Sequence, residues 1–362
     1  MNKAETVSGD VKRAISQATF GDAYSVVKQC GSYRRSGARS AVANLVYYSG
    51  LCAVQRSLRH RRGEVCVLGL HRILTDEQRS HASSLAAMSL RDETFRHMLA
   101  YLQRTYELIS LEHLLSEKYP NTGKPLCLVT FDDGWADNYT TAREILLEFG
   151  VRPLIFIATG LIDSDGTFWE ERLLNSLHSC NVRDFMPRLL SELHIKRRNI
   201  APDELIGALK RMPEARRAPI LAEFLGQGMT CVGNEMMSWE QLRRLRDLGF
   251  DFGAHTVNHP LLCYESDETV VRELTLSKKA LEEKIGIRIH AFAYPSGNYD
   301  QRIKELVRQS GFDFAFTCEP RWSRSKGDSL AIPRFLLHEG CVTNRGDFSP
   351  AALEFTLTGW RQ

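Results

Sequence analysis

Paired thiols are missing from this chain. Its 362 residues include nine cysteines, Cys30, Cys52, Cys66, Cys127, Cys180, Cys231, Cys263, Cys318 and Cys341, and none stands in a Cys-x-x-Cys pair. An odd, scattered set excludes a disulfide framework and a thiolate zinc site, and reads as reduced thiols in a cytosolic protein. Long apolar runs are missing too. The longest uncharged stretch, Ser40–Gln55, has 16 residues, short of the roughly 20 that cross a bilayer. The first twenty residues are polar and charged throughout, so no secretory leader is expected and the reading is cytoplasmic. Nor is there a strong excess of either charge. Lys and Arg number 47 against 44 Asp and Glu, too even for a nucleic-acid partner. With 43% hydrophobic and 25% charged residues, usage is that of an ordinary globular protein. A chain of this length buries a large core without disulfide or metal staples.

The charge that is present is unevenly spread. Residues 1–62 carry 11 basic and 3 acidic side chains, a net +8, and the remainder carries a net −5. Arg34, Arg35 and Arg39 precede the uncharged stretch, and Arg56, Arg59, Arg61 and Arg62 follow it. Apolar residues bracketed by arginines suit a helix lying in a membrane interface. The plain alternative is a helix docked on the main domain with solvated arginines. The expectation is a basic helical arm over 1–62, with residues 34–62 in peripheral contact with an anionic membrane at its inner face.

From residue 63 onward, apolar runs alternate with helical patterns. Strands are expected at Glu64–Leu70, Pro125–Phe131, Pro153–Ala158, Phe252–His255, His290–Tyr294, Phe312–Thr317 and Ile332–His338. Helices are expected at Thr94–Tyr106, Asp137–Phe149, Asp267–Ile285 and Asp300–Gln309, with a further one capped by Ser238. Strands separated by helices mean βα units and a parallel sheet. The rhythm breaks between 164 and 237, where only helix-like segments occur, Trp169–Leu177, Asp184–Leu193 and Glu214–Leu225. This stretch is expected to be a helical lobe inserted into a domain spanning 63–345, and 346–362 a C-terminal tail.

Four constellations carry chemistry. Asp132 and Asp133, in Thr130-Phe131-Asp132-Asp133-Gly134, end an apolar strand, where parallel α/β folds gather their active sites. Adjacent carboxylates there need a cation or a shared proton. In His255-Thr256-Val257-Asn258-His259, two histidines four apart can face one way on a helical turn and chelate one ion. Two imidazoles and a carboxylate make a three-ligand site with a position left for water. Phe292-Ala293-Tyr294-Pro295-Ser296-Gly297 turns sharply at a strand end, where turn amides can face an oxyanion. His338 ends the last strand and is a candidate proton donor.

In this order the motifs resemble the NodB-type polysaccharide deacetylases, carbohydrate esterase family 4. Leu70-His71-Arg72 is similar to the strand that opens many members, and Ser89–Leu115 to their first helix and connector. The resemblance covers about residues 64–340 without the lobe. It implies a distorted (β/α) barrel of about seven parallel strands and a divalent metal, usually zinc, with Co2+, Ni2+ or Mn2+ as substitutes. By position it makes Asp133, His255 and His259 the metal ligands, Asp132 the general base, His338 the general acid, and the Ser296 amide part of the oxyanion hole. The implied reaction removes the N-acetyl group of an amino sugar, either in a cytoplasmic saccharide or on a polyprenyl phosphate. A deformylase of lipid-linked sugars is a near alternative, and a catalytically silent carbohydrate-binding protein on the same barrel a more distant one. A histidine–aspartate amidohydrolase would place His-x-His on the first strand, which Glu64–His71 lacks.

Two positions depart from the family. Ala293 stands where many members have an arginine that supports the base, and Ser296 where they have tyrosine. Arg334, just before the acid histidine's strand end, is the expected replacement partner for Asp132. Trp135, Tyr294 and Pro295 are the candidates for sugar contact, Trp135 by stacking or else as core.

Overall fold

The computed structural model describes residues 36–82, 84, 86–164, 166–177, 182–193, 195, 200–225, 235–324 and 326–359. Seven parallel strands form one curled sheet: β1 (Val65–Leu70), β2 (Leu126–Phe131), β3 (Leu154–Ile157), β4 (Asp251–Ala254), β5 (Ala291–Ala293), β6 (Phe314–Phe316) and β7 (Phe335–Leu336). Their spatial order is β7-β1-β2-β3-β4-β5-β6, and the short strand Glu107–Ile109 adds to the lower half of β2. This is the parallel βα sheet that the alternation predicts, curled into the distorted (β/α) barrel that the family resemblance implies. The expected last strand, Ile332–His338, proves to be two short pairings. Ile332 bridges to Phe316 of β6, while Phe335 and Leu336 pair with Leu68 and Gly69 of β1. Pro333 between them has no amide to donate, so one continuous ladder cannot form. The segment instead spans the gap between the two ends of the sheet.

Alternation along each strand sorts the core into two layers. Cys66, Leu68, Cys127, Val129, Phe131, Ile155 and Ile157 face the surrounding helices. Val65, Val67, Leu126, Leu128, Leu154, Phe156, Ala291, Ala293, Phe316 and Ile332 fill the interior. Gly253 makes room there, since a Cβ on it would lie 2.5 Å from the Phe156 ring.

The principal helices are α1 (Ser36–Tyr48), α2 (Leu51–Arg61), α3 (Asp92–Thr105), α4 (Trp169–Leu177), α5 (Val182–Glu192), α6 (Pro202–Lys210), α7 (Glu214–Leu225), α8 (Trp239–Asp247), α9 (Asp267–Ile285), α10 (Gln301–Gln309) and α11 (Pro350–Leu357). The expected helix Asp137–Phe149 opens instead with a π-helical turn over Asn138–Ala142 and continues as Arg143–Glu148. The Asn138 amide there donates to the His71 carbonyl, and π turns of this kind collect at functional sites. The arm is a helix pair broken at Gly50, whose φ is 80°. Residues 1–35 of the arm lie outside the described residues. The expected tail is corrected. α11 packs on α1, and its Leu353 and Leu357 enter the main core. Its Glu354 accepts the Tyr101 and Tyr106 hydroxyls at 2.9 Å each and pairs with Arg56 at 2.8 Å, which ties arm, α3 and α11 together.

Helices α4–α7 form a lobe with its own core of Leu173, Leu174, Leu189, Leu205, Leu209 and Leu221. The helix absent from the sequence expectation, α6, has Pro202 at its start and Asp203 and Glu204 in its first turn, which are standard start signals. The lobe meets the barrel through an apolar cluster of Trp135, Ala158, Phe168 and Met236 and through charge. Arg72 binds Asp137 at 2.9 Å and Ser84 at 2.8 Å and reaches Glu235 at 3.9 Å. Close by, burial raises the Glu171 carboxyl from 4.5 to about 7. Glu235 and Glu170 add to the rise, and Arg72 and Ser84 oppose it. Between those values the native chain holds a proton that the unfolded chain has released, so stability falls as pH rises through the window. Glu171→Gln removes that loss. Its melting temperature relative to wild type is expected to be higher at about pH 8 than at about pH 5, with the full effect on the order of 3 kcal/mol. Equal differences at both values would exclude this account.

Candidate active site

The acidic pair sits where β2 ends. The Asp132 amide donates to the Leu70 carbonyl of β1 at 2.9 Å, which extends the β1–β2 ladder by one step. The chain then turns left-handed, with φ 79° at Asp133 and 93° at Gly134, and the two carboxylates part company.

Asp132 turns to the barrel interior and meets Arg334. The guanidinium forks onto it, with Nη1 on Oδ1 at 2.7 Å and Nη2 on Oδ2 at 2.8 Å. It also donates to Thr130 Oγ1 at 2.9 Å and to the Thr317 carbonyl at 3.1 Å, and it lies over the Phe156 ring. Arg334 is fully buried and Asp132 nearly so. Burial pushes the Asp132 carboxyl up, but the charges of Arg334 and His255, the hydrogen bonds from Arg334, and then His71 pull it down to about 2. His71 Nε2 stands 4.0 Å away.

Asp133 faces the histidines. Its Oδ1 lies 3.5 Å from His255 Nε2 and 3.8 Å from His259 Nε2. One ligand atom from each of the three residues falls within 4.8 Å of the others. The expected helical turn for the two histidines is corrected. The segment 255–259 is a loop with positive φ at Thr256 (65°) and His259 (56°). Thr256 Oγ1 accepts the His259 amide at 2.9 Å. The loop is further held by Glu273 of α9, which accepts the amides of Val257 and Asn258 and the Asn258 side chain at 2.8–3.0 Å. Non-glycine residues in this backbone region are costly and cluster at functional sites.

These three residues fit a divalent ion on their own chemistry. His255 Nδ1 lies 2.8 Å from the Ala293 carbonyl. A carbonyl only accepts, so Nδ1 carries the proton and Nε2 presents a lone pair toward Asp133. Trp135 Nε1 donates to Asp133 Oδ2 at 2.9 Å. Among the described residues, Asp133 Oδ1 and His259 Nδ1 are buried polar atoms without a hydrogen-bond partner. Burial lowers both histidines, and for His259 the charges of His255, Lys210, His71 and Arg217 add to it. Both shifts favour the neutral imidazole, the form that a metal ligand takes. Two nitrogens and one carboxylate oxygen are the donor set of an open catalytic zinc site.

The remaining candidates divide. Ser296 is half-buried, with φ 53°, in the turn that ends β5. His338 stands just past β7, beside β1, where the Leu337 amide donates to the Gly69 carbonyl. Both are on the rim that carries the acidic pair. The sugar-contact expectations are corrected. Trp135 is 1% exposed, held between the Arg72 guanidinium and Phe168, and its role is to orient Asp133. Tyr294 is fully buried on the helix side of the sheet, stacked on Tyr299, with its hydroxyl on the Leu330 carbonyl. Pro295 is buried at the base of the turn. Four contributors are given no such role by the motifs: Thr130, which stands in the first motif, Glu273, Trp135 as a positioning group, and Phe168 of the lobe, whose ring meets His259 edge-on at 5.4 Å. Thr130 alone had a signal, its place two residues before Asp132 on the same face of β2.

The fold is a parallel α/β barrel, and at its carboxyl rim Asp133, His255 and His259 form a cluster that could hold a metal ion. The chain matches the polysaccharide deacetylase family over residues 119–315, more than half of its length, and it belongs to that family. It resembles chitin deacetylase 1 of Cryptococcus neoformans at 25% identity over 99 residues, 26% of this chain and 21% of that protein. Chitin deacetylase 2 of the same species is 28% identical over 81 residues. The matches thus span only about a fifth of these curated relatives. The fold is shared with the Streptococcus pyogenes deacetylase PplD, at TM-score 0.54 and 18% identity over 81% of this chain and 98% of that one. It is shared too with IcaB from Ammonifex degensii, at TM-score 0.52 and 18% identity over 83% and 97%.

Removing one partner of the Arg334–Asp132 pair leaves a buried charge unmatched. Arg334→Met is expected to lose about 3–5 kcal/mol in urea unfolding, and the double variant Asp132→Leu/Arg334→Met to recover much of it. A double variant as unstable as the single one would refute a dominant pairing energy.

Proposed function

We propose that this protein is a metal-dependent hydrolase that removes the N-acetyl group from an amino sugar of a saccharide. The observation that carries this reading is the ionised Asp132, gripped by Arg334, beside the Asp133–His255–His259 cluster. Family membership and the resemblance to chitin deacetylases supply the substrate class. Zinc is the ion that the donor set suits best, with Co2+, Ni2+ or Mn2+ as substitutes.

When bound, the ion supplies Lewis acidity at the acyl carbonyl and lowers the pKa of a water. Asp132, deprotonated at neutral pH, accepts the proton of the attacking water. Arg334 fixes the orientation of that carboxylate but also keeps it a weak base, so the proton moves only from a strongly polarised water. On this reading the Ser296 amide stabilises the oxygen that gains negative charge, an interaction worth about 3 kcal/mol in comparable sites. His338 donates the proton that lets the amine leave. The C–N bond breaks, and a free amino sugar and acetate result.

We further read the substrate as either a cytoplasmic saccharide or a sugar on a polyprenyl phosphate. The six cysteines among the described residues are all free thiols, in keeping with a reducing compartment. The test is acetate release by zinc-loaded protein from N-acetylated oligosaccharides and from N-acetylhexosamine on a polyprenyl phosphate. Release is expected from one of the two, to stop with a chelator, and to fall by about 100-fold or more in Asp132→Asn. Bound zinc with no release from any N-acetyl or N-formyl sugar would instead favour a carbohydrate-binding protein.

A further inference from the structure

We propose that the outer face of α1 and α2 is a docking surface for an anionic lipid bilayer, on which the protein lies without crossing it. The observation is an inverted pattern of exposure. Of the twelve large hydrophobic side chains exposed among the described residues, six lie on these two short helices: Val42, Leu45, Tyr48, Leu51, Val54 and Leu58, at 47–81% exposure. The other exposed positions between residues 41 and 58 are Ala41, Ser49, Ala53 and Ser57, so this face carries no charge. The charged side chains turn inward. Arg56 pairs with Glu354 at 2.8 Å and Arg59 with Glu64 at 2.9 Å. A helix solvated on its free side has the opposite arrangement.

The partner follows from charge. No acidic residue occurs between Asp22 and Glu64, while eight basic ones do. Arg39 stands at one end of the apolar face, and the exposed Arg61 and Arg62 at the other. Apolar side chains between cations match the acyl and phosphate levels of an anionic interface. α1 and α2, of 13 and 11 residues, are each short of the roughly 20 residues that span a bilayer, so the contact made by these two helices is in the plane of the surface. The face begins close to the reaction rim, because Arg39 donates to the Gly340 carbonyl, two residues beyond His338. Docking therefore carries the rim toward the headgroups, where a lipid-linked sugar would be presented. The docking itself does not depend on the reaction.

The test is flotation of the full chain with phosphatidylcholine vesicles, with and without phosphatidylglycerol. Its controls are the triple variant Leu45→Glu/Tyr48→Glu/Val54→Glu, its circular-dichroism melt, and light scattering without lipid. The expected result is binding that requires phosphatidylglycerol, weakens with salt, and drops at least about tenfold in the triple variant with its melt unchanged. Equal flotation of wild type and variant, or none by wild type, would overturn the proposal. So would a lipid-free dimer that the variant dissociates, which would assign the face to a second copy. None of these readings involves acetate release, so failure here leaves the catalytic reading separately testable.

Discussion

Arg334 and Asp132 form a salt bridge in the floor of the rim, with the guanidinium fully buried and the carboxylate nearly so. Two charges withdrawn from water are a net burden unless geometry and further hydrogen bonds match them closely, and much of the barrel serves that match. Gly253 has no side chain, so Phe156 can lie across the interior; Phe156 in turn supports the guanidinium from below. Thr130 and the Thr317 carbonyl take two of the remaining N–H groups. Pro333 breaks the closing segment at the point where the chain must pass from β6 to β1, and the next residue is the arginine. The segment that closes the barrel therefore also carries the residue that keeps Asp132 ionised.

Two neighbouring carboxylates do different things here because the backbone separates them. The left-handed turn at Asp133 and Gly134 sends one side chain to a guanidinium and the other to two imidazoles. One carboxylate is saturated with donors on both oxygens. The other spends one oxygen on the Trp135 indole and leaves its second buried and open. Adjacent acids would otherwise share a proton. Strain at Asp133, Thr256, His259 and Ser296 is concentrated in this one region and is held there by Glu273, Thr256 Oγ1 and the Ala293 carbonyl.

Much of the architecture is legible in the amino-acid order, because strands buried on both faces read as near-continuous apolar runs. The Asp pair and the two histidines are legible for a similar reason, as they stand where such runs stop. Arg334 is reachable from sequence only through a gap, the alanine at 293 that leaves Asp132 needing a partner. Other features depend on what packs against them. Trp135 reads equally as a sugar platform or as core, and the lobe's Phe168 and the Arg72 guanidinium that cover it decide for core. Tyr294 shares a motif with the rim, yet its parity on β5 sends it to the helix side. The histidine spacing suits a helical turn, and only the hydrogen bonds to Glu273 and Thr256 select a loop instead.

The lobe leaves the barrel and returns to it at nearly the same point. The Asp163 amide donates to the Met237 carbonyl, the Trp239 amide to the Asp163 side chain, and the Met237 amide to the Gly134 carbonyl. An excursion of more than seventy residues thus closes on itself at its base, with a core of its own above. To the barrel, the whole excursion is equivalent to a short loop. Changes in its interior reach the barrel only through the tied stem and the side chains at the lobe's edge, among them Phe168 on His259. The lobe is then a module with an interior of its own, and it bears on the rim through Phe168 at His259 and Trp135 and through Glu235 at Arg72.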